Sequence, residues 1–172
     1  MKKNQVIREM IKWIIINNEG GYSNHPSDYG GETIYGISRK YHPNWLGWKY
    51  LNNPTKALEL AIDFYIQNYF PVVSPLLNTH PASTFFLLDY YINAGNYALY
   101  HLYEILGVKN FTDALNKVKQ ISDKDLLFKL YKRRELFYKR IIQNDKTQEV
   151  FLKGWLNRNE RTYKKAQEYL KK

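Results

Sequence analysis

Two carboxylates stand close together near the start of the chain, in a setting that could do acid–base chemistry. The stretch runs Glu19-Gly20-Gly21-Tyr22-Ser23-Asn24-His25-Pro26-Ser27-Asp28-Tyr29-Gly30-Gly31-Glu32-Thr33-Ile34-Tyr35-Gly36-Ile37. Glu19 closes an apolar helical pattern. A helix C-terminus disfavours an anion, and so does a neighbouring apolar stripe. Both effects favour the neutral acid, the form a proton donor needs near neutral pH. Asp28 lies in a polar, glycine-rich loop where it can stay ionised. Two carboxyl groups whose surroundings push their proton affinities apart suit the splitting of a glycosidic bond. Thr33, with its hydroxyl on the same segment, is placed to help Asp28 hold a water. Read without further context, the same residues also fit a helix end followed by a turn, because short motifs match by chance.

Positioning these groups takes a helix, a turn-rich segment and a scaffold behind them. Val6, Met10, Trp13 and Ile14 recur at helical spacing, with Ile7, Ile11 and Ile15 widening the stripe, so residues 3–18 are expected to be helical. Gly20-Gly21 stops that helix near Glu19. Gly30-Gly31, between Tyr22 and Thr33-Ile34-Tyr35, suits a small irregular hairpin, and Ile37–Tyr41 suits a short helix ended by His42-Pro43. Pro54 opens a helix through about Tyr69, with Ala57, Leu58, Ala61, Ile62, Phe64, Tyr65 and Tyr69 inward. A loop marked by Pro71, Pro75 and Pro81 comes next. Phe85–Asn93 is apolar almost all round and reads as a helix buried at the centre of the fold. Further helices are expected over Asn96–Leu106, Thr112–Val118 with Thr112 as cap, Ser122–Ile142 with Ser122 as cap, and Thr147–Leu170. The fold class is therefore mainly α, with one small hairpin or irregular loop after the first helix.

Composition narrows the function classes. The chain has 172 residues, 44% of them hydrophobic and 16% aromatic, which supports a real core and excludes intrinsic disorder. The absence of cysteine excludes a disulfide scaffold, a thiol nucleophile and a thiolate metal site. No stretch approaches the roughly 20 apolar residues of a membrane span. Met1-Lys2-Lys3 has the look of a signal n-region, but Asn4, Arg8 and Glu9 break up the adjoining apolar stretch, so no Sec signal is read. Residues 1–108 hold 8 basic and 8 acidic side chains; residues 109–172 hold 18 basic and 8 acidic, so the whole net charge of +10 lies in the second part. A basic surface of this kind attracts polyanions and is weakened by salt. It also fits an ordinary solvated helical face in a lysine-rich organism. The four histidines, at 25, 42, 80 and 101, show no metal-ligand spacing, and neither a metal nor a cofactor is expected.

The motif Glu19-Gly20-Gly21-Tyr22 with Pro26, Asp28, Gly30-Gly31, Thr33 and Gly36-Ile37 resembles the signature of the glycoside hydrolase family 108 muramidases, which include phage endolysins and secretion-associated wall hydrolases. Two later blocks extend the resemblance: Leu88-Asp89-Tyr90-Tyr91-Ile92-Asn93-Ala94-Gly95, and Phe151-Leu152-Lys153-Gly154-Trp155-Leu156-Asn157-Arg158. The resemblance implies a lysozyme-like helical domain over 1–172, with a catalytic lobe at 1–80 and a basic, peptidoglycan-binding-like lobe at 81–172. It implies cleavage of the β-1,4 bond between N-acetylmuramic acid and N-acetylglucosamine, with Glu19 as acid and Asp28 as the second carboxylate. Phage-type lysozymes space their acid, Asp and Thr with eight and then five intervening residues; here the numbers are eight and four, so Thr33 departs from the pattern.

Tyr22 and Tyr35 are candidates for stacking on sugar faces, with core packing as the alternative. Asn93 is a candidate for holding an N-acetyl group or hydroxyl. Asp89, in an apolar stretch, reads as a hydrogen-bonded core carboxylate, and Trp155 as packing. The expected partners are the glycan strand and, through the basic part, an anionic wall polymer; no nucleic-acid motif is present, and a monomer is expected. The chain is expected to be made in the bacterial cytoplasm and to act in the periplasm or wall after holin-type or other export. A lytic transglycosylase on the same fold, for which Asp28 would be dispensable, and a non-enzymatic polyanion-binding module are the alternative functions.

Overall fold

A computed structural model of the chain describes residues 2–25 and 31–170. Contacts divide it into two compact units, Met1–Phe70 and Pro71–Lys172.

In the first unit, α1 (Lys3–Ile14) buries Ile7, Met10, Ile11 and Ile14, the stripe expected from its spacing. It does not simply stop. Its last turn widens into a π-helical turn, Ile15–Glu19, closed by the Gly20 amide donating to the Ile15 carbonyl at 3.0 Å. Gly20 then leaves the helix with φ +76°, a value open to glycine and costly for other residues. The wider turn is invisible to a 3.6-residue period, and such turns recur at functional sites. Ser23 pairs with Thr33 through two backbone hydrogen bonds of 2.9 and 2.8 Å. Thr33 also opens β1 (Thr33–Ile34), antiparallel to β2 (Ile37–Ser38), with Ile34 opposite Ile37.

The turn of this hairpin is Tyr35-Gly36, at φ 52° and 81°, the paired positive values of a type I′ turn. The tight turn therefore lies at Tyr35-Gly36, and the Gly30-Gly31 position expected for it falls partly outside the described residues. The expected helix over Ile37–Tyr41 is not formed. Ile37 is paired across the turn with Ile34, and both side chains are buried, which a helix starting at Ile37 would forfeit. A 3-10 turn, Leu46–Tyr50, comes next and buries Trp48. Then comes α2 (Pro54–Asn68), capped by the Asn53 side chain accepting from the Lys56 amide at 3.2 Å. Ala57, Ala61, Ile62 and Tyr65 form its buried face. Arg8 ties α1 to α2 through Asp63 at 2.7 Å and Glu59 at 2.6 Å.

After a short helix, α3 (Phe70–Val73), and a 3-10 turn at Ser74–Leu76, the second unit is built around α4 (Pro81–Ala94). The segment expected to be a proline-marked loop is thus mostly helical turns, because proline is tolerated in the first turn of a helix. Ala82 through Tyr90 are all buried, as an all-round apolar helix demands. Around α4 pack α5 (Asn96–Leu106), α7 (Asp123–Asn144) and α8 (Glu149–Gln167). The Asp123 carboxylate caps α4, accepting from the Ala82 and Ser83 amides at 2.9 Å each. Ser122 caps α7 as expected, accepting from the Asp125 amide at 3.1 Å. The short helix α6 (Phe111–Lys117) begins earlier than expected, and its cap is Asn110, which accepts from the Asp113 amide at 2.8 Å, rather than Thr112. The described residues hold eight α-helices and a single two-stranded sheet, a mainly α, lysozyme-like fold.

Candidate active site

Glu19 is the last residue of the π turn and is half-buried. Its carboxyl lies over the hairpin turn: a Cβ placed on Gly36 would stand 2.5 Å from Glu19 Oε2 and 2.6 Å from the Tyr65 hydroxyl. Only glycine leaves room for both oxygens there, and its φ of +81° also favours glycine. Tyr65, 2% exposed on α2, donates its hydroxyl proton to the Tyr35 carbonyl at 2.7 Å. So α1 delivers the carboxyl, the turn makes space for it, and α2 anchors the turn. Rigid elements, rather than the loop itself, set the carboxyl's position. Sequence reasoning had Gly36 in the motif and Tyr65 on an inward face, but nothing in their spacing joined either to Glu19.

The same segment carries a second charged cluster that sequence reasoning missed. Glu32 accepts from the Tyr22 hydroxyl and is ion-paired with Arg39 at 2.7 Å. The Tyr22 hydrogen bond and then the Arg39 contacts hold the Glu32 carboxyl below its usual range, and the same bond raises the Tyr22 phenol. Arg39 also lies over the Trp48 ring at 5.2 Å. Glu32 therefore remains an anion over the working pH range. The only sequence signal was its place beside Thr33.

Tyr22 is 52% exposed, so its ring is open to a ligand although its hydroxyl is engaged. Tyr35 forms half of the type I′ turn, with its hydroxyl 3.4 Å from the Pro54 carbonyl. Thr33 pairs on one side with Ser23 and on the other with Ser38. Glu19, Tyr22, Thr33 and Tyr35 thus all belong to the first unit. Asp28 lies outside the described residues.

Asn93 belongs to the second unit, exposed near the end of α4. Its side-chain oxygen accepts from the Tyr138 hydroxyl and, at 3.4 Å, from Arg134. Asp89, one turn earlier and fully buried, binds Arg134 at 2.8 Å and Arg158 at 2.9 Å. Arg134 is itself completely buried, with the Tyr90 ring 4.8 Å away. Trp155 stacks on Tyr138 at 5.3 Å and on Phe151 at 5.9 Å. The later two motif blocks therefore meet directly, through Asp89 and Arg158, and also by way of Arg134 and Tyr138 of α7, so Asp89 and Trp155 are parts of a packed framework.

Residues 12–95 match the glycosyl hydrolase 108 family, and residues 105–160 match a family described as a predicted peptidoglycan domain. Among solved structures, the chain is similar to Brucella abortus SagA, with 22% identity, 98% of each chain covered and a TM-score of 0.73, a likeness of fold. No curated protein sequence matches the chain. The half-buried Glu19 at the end of the π turn lies inside the first matched segment, so residues 12–95 form a glycosyl hydrolase 108 region, and the protein is a peptidoglycan hydrolase of the muramidase type.

Proposed function

We propose that the protein cleaves the β-1,4 bond between N-acetylmuramic acid and N-acetylglucosamine, with Glu19 as general acid and Asp28 as the second carboxylate. The observation that carries this reading is the Glu19 carboxyl seated over Gly36 at the end of a helix packed on its apolar side. Glu19 gives its proton to the glycosidic oxygen as the bond from that oxygen to the sugar C1 breaks. Asp28 takes a proton from a water whose oxygen bonds to C1, or stabilises the oxocarbenium-like transition state. Thr33 helps hold that water. Tyr22 and Tyr35 offer ring faces to the sugars, and Asn93 offers amide donors to an N-acetyl carbonyl or hydroxyl. The basic second part of the chain holds the enzyme, as a monomer, to anionic wall polymer.

The test is the release of reducing ends from purified peptidoglycan. Glu19→Gln should lower the rate by about 10²–10⁴-fold, the usual worth of a general acid. Asp28→Asn should lower it comparably while the protein keeps its melting temperature. Full activity of Glu19→Gln contradicts the assignment, and full activity of Asp28→Asn with loss in Glu19→Gln removes Asp28 from the chemistry.

A further inference from the structure

Tyr22 stands three positions after Glu19, and only Gly20 and Gly21 separate them. Both glycines are exposed, and a Cβ on either would meet open space, so packing does not fix this stretch. Glycine also leaves the backbone its greatest freedom. Tyr22 is anchored instead through its side chain. Ser23 and Thr33 exchange two backbone hydrogen bonds, and Tyr22 and Glu32 each stand one position before a member of that pair. They are diagonal neighbours across it, a separation that long side chains can span. Glu32 Oε2 accepts from the Tyr22 hydroxyl at 2.5 Å. The Arg39 amide donates to the Glu32 carbonyl at 2.9 Å, which sets Arg39 opposite Glu32, and Arg39 Nη1 reaches Glu32 Oε1 at 2.7 Å. The Arg39 guanidinium lies over Trp48, 5.2 Å from the ring centre, and the buried Trp48 indole donates to the His42 carbonyl at 2.8 Å. A chain of contacts thus runs from a buried indole to an exposed ring close in sequence to Glu19.

The chemistry of this chain of contacts limits what it does. Both Glu32 oxygens face donors, the Tyr22 hydroxyl and then Arg39, and these bonds keep the carboxyl ionised. It is therefore a hydrogen-bond acceptor here and not a proton donor. The Tyr22 hydroxyl is engaged by Glu32, while its ring stays half exposed. What remains on offer is a fixed aromatic face, which suits the C–H face of a pyranose ring. Building on the reading that the protein cleaves the glycan strand, we propose that Glu32, backed by Arg39 and Trp48, is a positioning residue that holds the Tyr22 ring as a platform for an N-acetylhexosamine of the strand bound at Glu19. Ordering the ring before substrate arrives removes an entropic cost from binding. The effect falls on substrate affinity and leaves the chemical step alone.

The experiment is steady-state kinetics of the full-length protein on soluble, peptide-free glycan strands. Glu32→Ala and Tyr22→Phe should each raise KM about two- to tenfold, the usual cost of immobilising one side chain, with kcat changed by less than about twofold. Tyr22→Phe is an exposed, conservative change and keeps the test valid where Glu32→Ala loosens the hairpin. The double variant Tyr22→Phe/Glu32→Ala should be no worse than the weaker of the two single ones, because both remove the same bond. Glu32→Gln, which still accepts from the Tyr22 hydroxyl, should restore much of the affinity. Tyr22→Ala, which removes the platform, should raise KM further than Tyr22→Phe. A role in folding alone would move the melting temperature and the active fraction, hence kcat, and leave KM of the folded enzyme unchanged. Unchanged KM in Tyr22→Phe, additive effects in the double variant, or a loss confined to kcat overturns the proposal, while hydrolysis by the unaltered protein upholds the muramidase reading. Failure of the unaltered protein to hydrolyse any wall glycan overturns that reading, and the proposal with it.

Discussion

Gly36 shows how one residue can matter to chemistry it does not perform. Its missing side chain is the space that Glu19 Oε2 and the Tyr65 hydroxyl share. Gly36→Ala must push against both oxygens and adopt a φ of +81°, so it should cost about 1–3 kcal/mol of stability. It should also reduce turnover by more than the lost stability explains, because the carboxyl is displaced. Thermal unfolding combined with rate measurements on the folded protein checks both parts. Tyr65→Phe is the gentler companion. It keeps the ring in the core and removes the hydroxyl that bonds the Tyr35 carbonyl, so turnover should fall while the melting temperature changes little. Glu19 itself was legible in the sequence because a helix end, a Gly-Gly stop and a polar turn converge on it. Gly36 and Tyr65 were not legible as its neighbours. They lie 17 and 46 positions beyond Glu19, and only the folded hairpin and α2 close that distance.

The helical elements were largely visible in the sequence wherever a 3.6-residue apolar stripe met a glycine, proline or serine boundary. α4, α5 and the Ser122 cap of α7 lie where the pattern places them. The failures have a common physical origin, in contacts outside the local segment. Ile37 reads as helical until the Tyr35-Gly36 turn pairs it with Ile34. Arg134, a charged residue with no sequence signal for burial, is fully buried because Asp89, on another helix, pairs with it. Asp89→Asn should therefore destabilise the protein by about 3–5 kcal/mol, since it strands two guanidinium groups near a buried site. Denaturant unfolding measures this directly, and a change below about 1 kcal/mol would show that the ion pairs do not hold α4 to α7 and α8. His101 on α5 offers a pH-dependent counterpart. It is 7% exposed and hydrogen-bonded with the Tyr90 hydroxyl, and burial, followed by the Arg133 charge, pushes its pKa from 6.5 down to about 4. Folding thus favours the neutral ring. The associated stability is fully present above about pH 6.5 and is lost as the pH falls towards 4, by up to about 3 kcal/mol. Melting curves at pH 7 and pH 4.5 should show the drop, and replacing His101 by Gln should flatten it.

Across the whole molecule, charge and chemistry are distributed unevenly. The matched glycosyl hydrolase segment lies in the part of the chain whose charges cancel, and the matched peptidoglycan segment in the part that carries the net +10. Retention on purified wall should accordingly fall steeply as salt rises from about 0.05 to 1 M, where screening shortens from above 10 Å to about 3 Å. Cleavage of a short soluble substrate should respond far less. Sedimentation of wall-bound protein across a salt series checks this, and salt-independent retention would assign wall binding to neutral contacts instead. The later two motif blocks contribute Asp89, Arg158 and Trp155 to the framework of α4, α7 and α8, while Asn93 and Phe151 reach the surface. The central claim concerns the bond that is broken and the group that protonates it. Mass spectrometry of the soluble products from purified peptidoglycan tests both together. The account predicts muropeptides ending in a reducing N-acetylmuramic acid, absent from digests with Glu19→Gln. Products ending in reducing N-acetylglucosamine or in anhydromuramic acid, or an unchanged product pattern from Glu19→Gln, would contradict it.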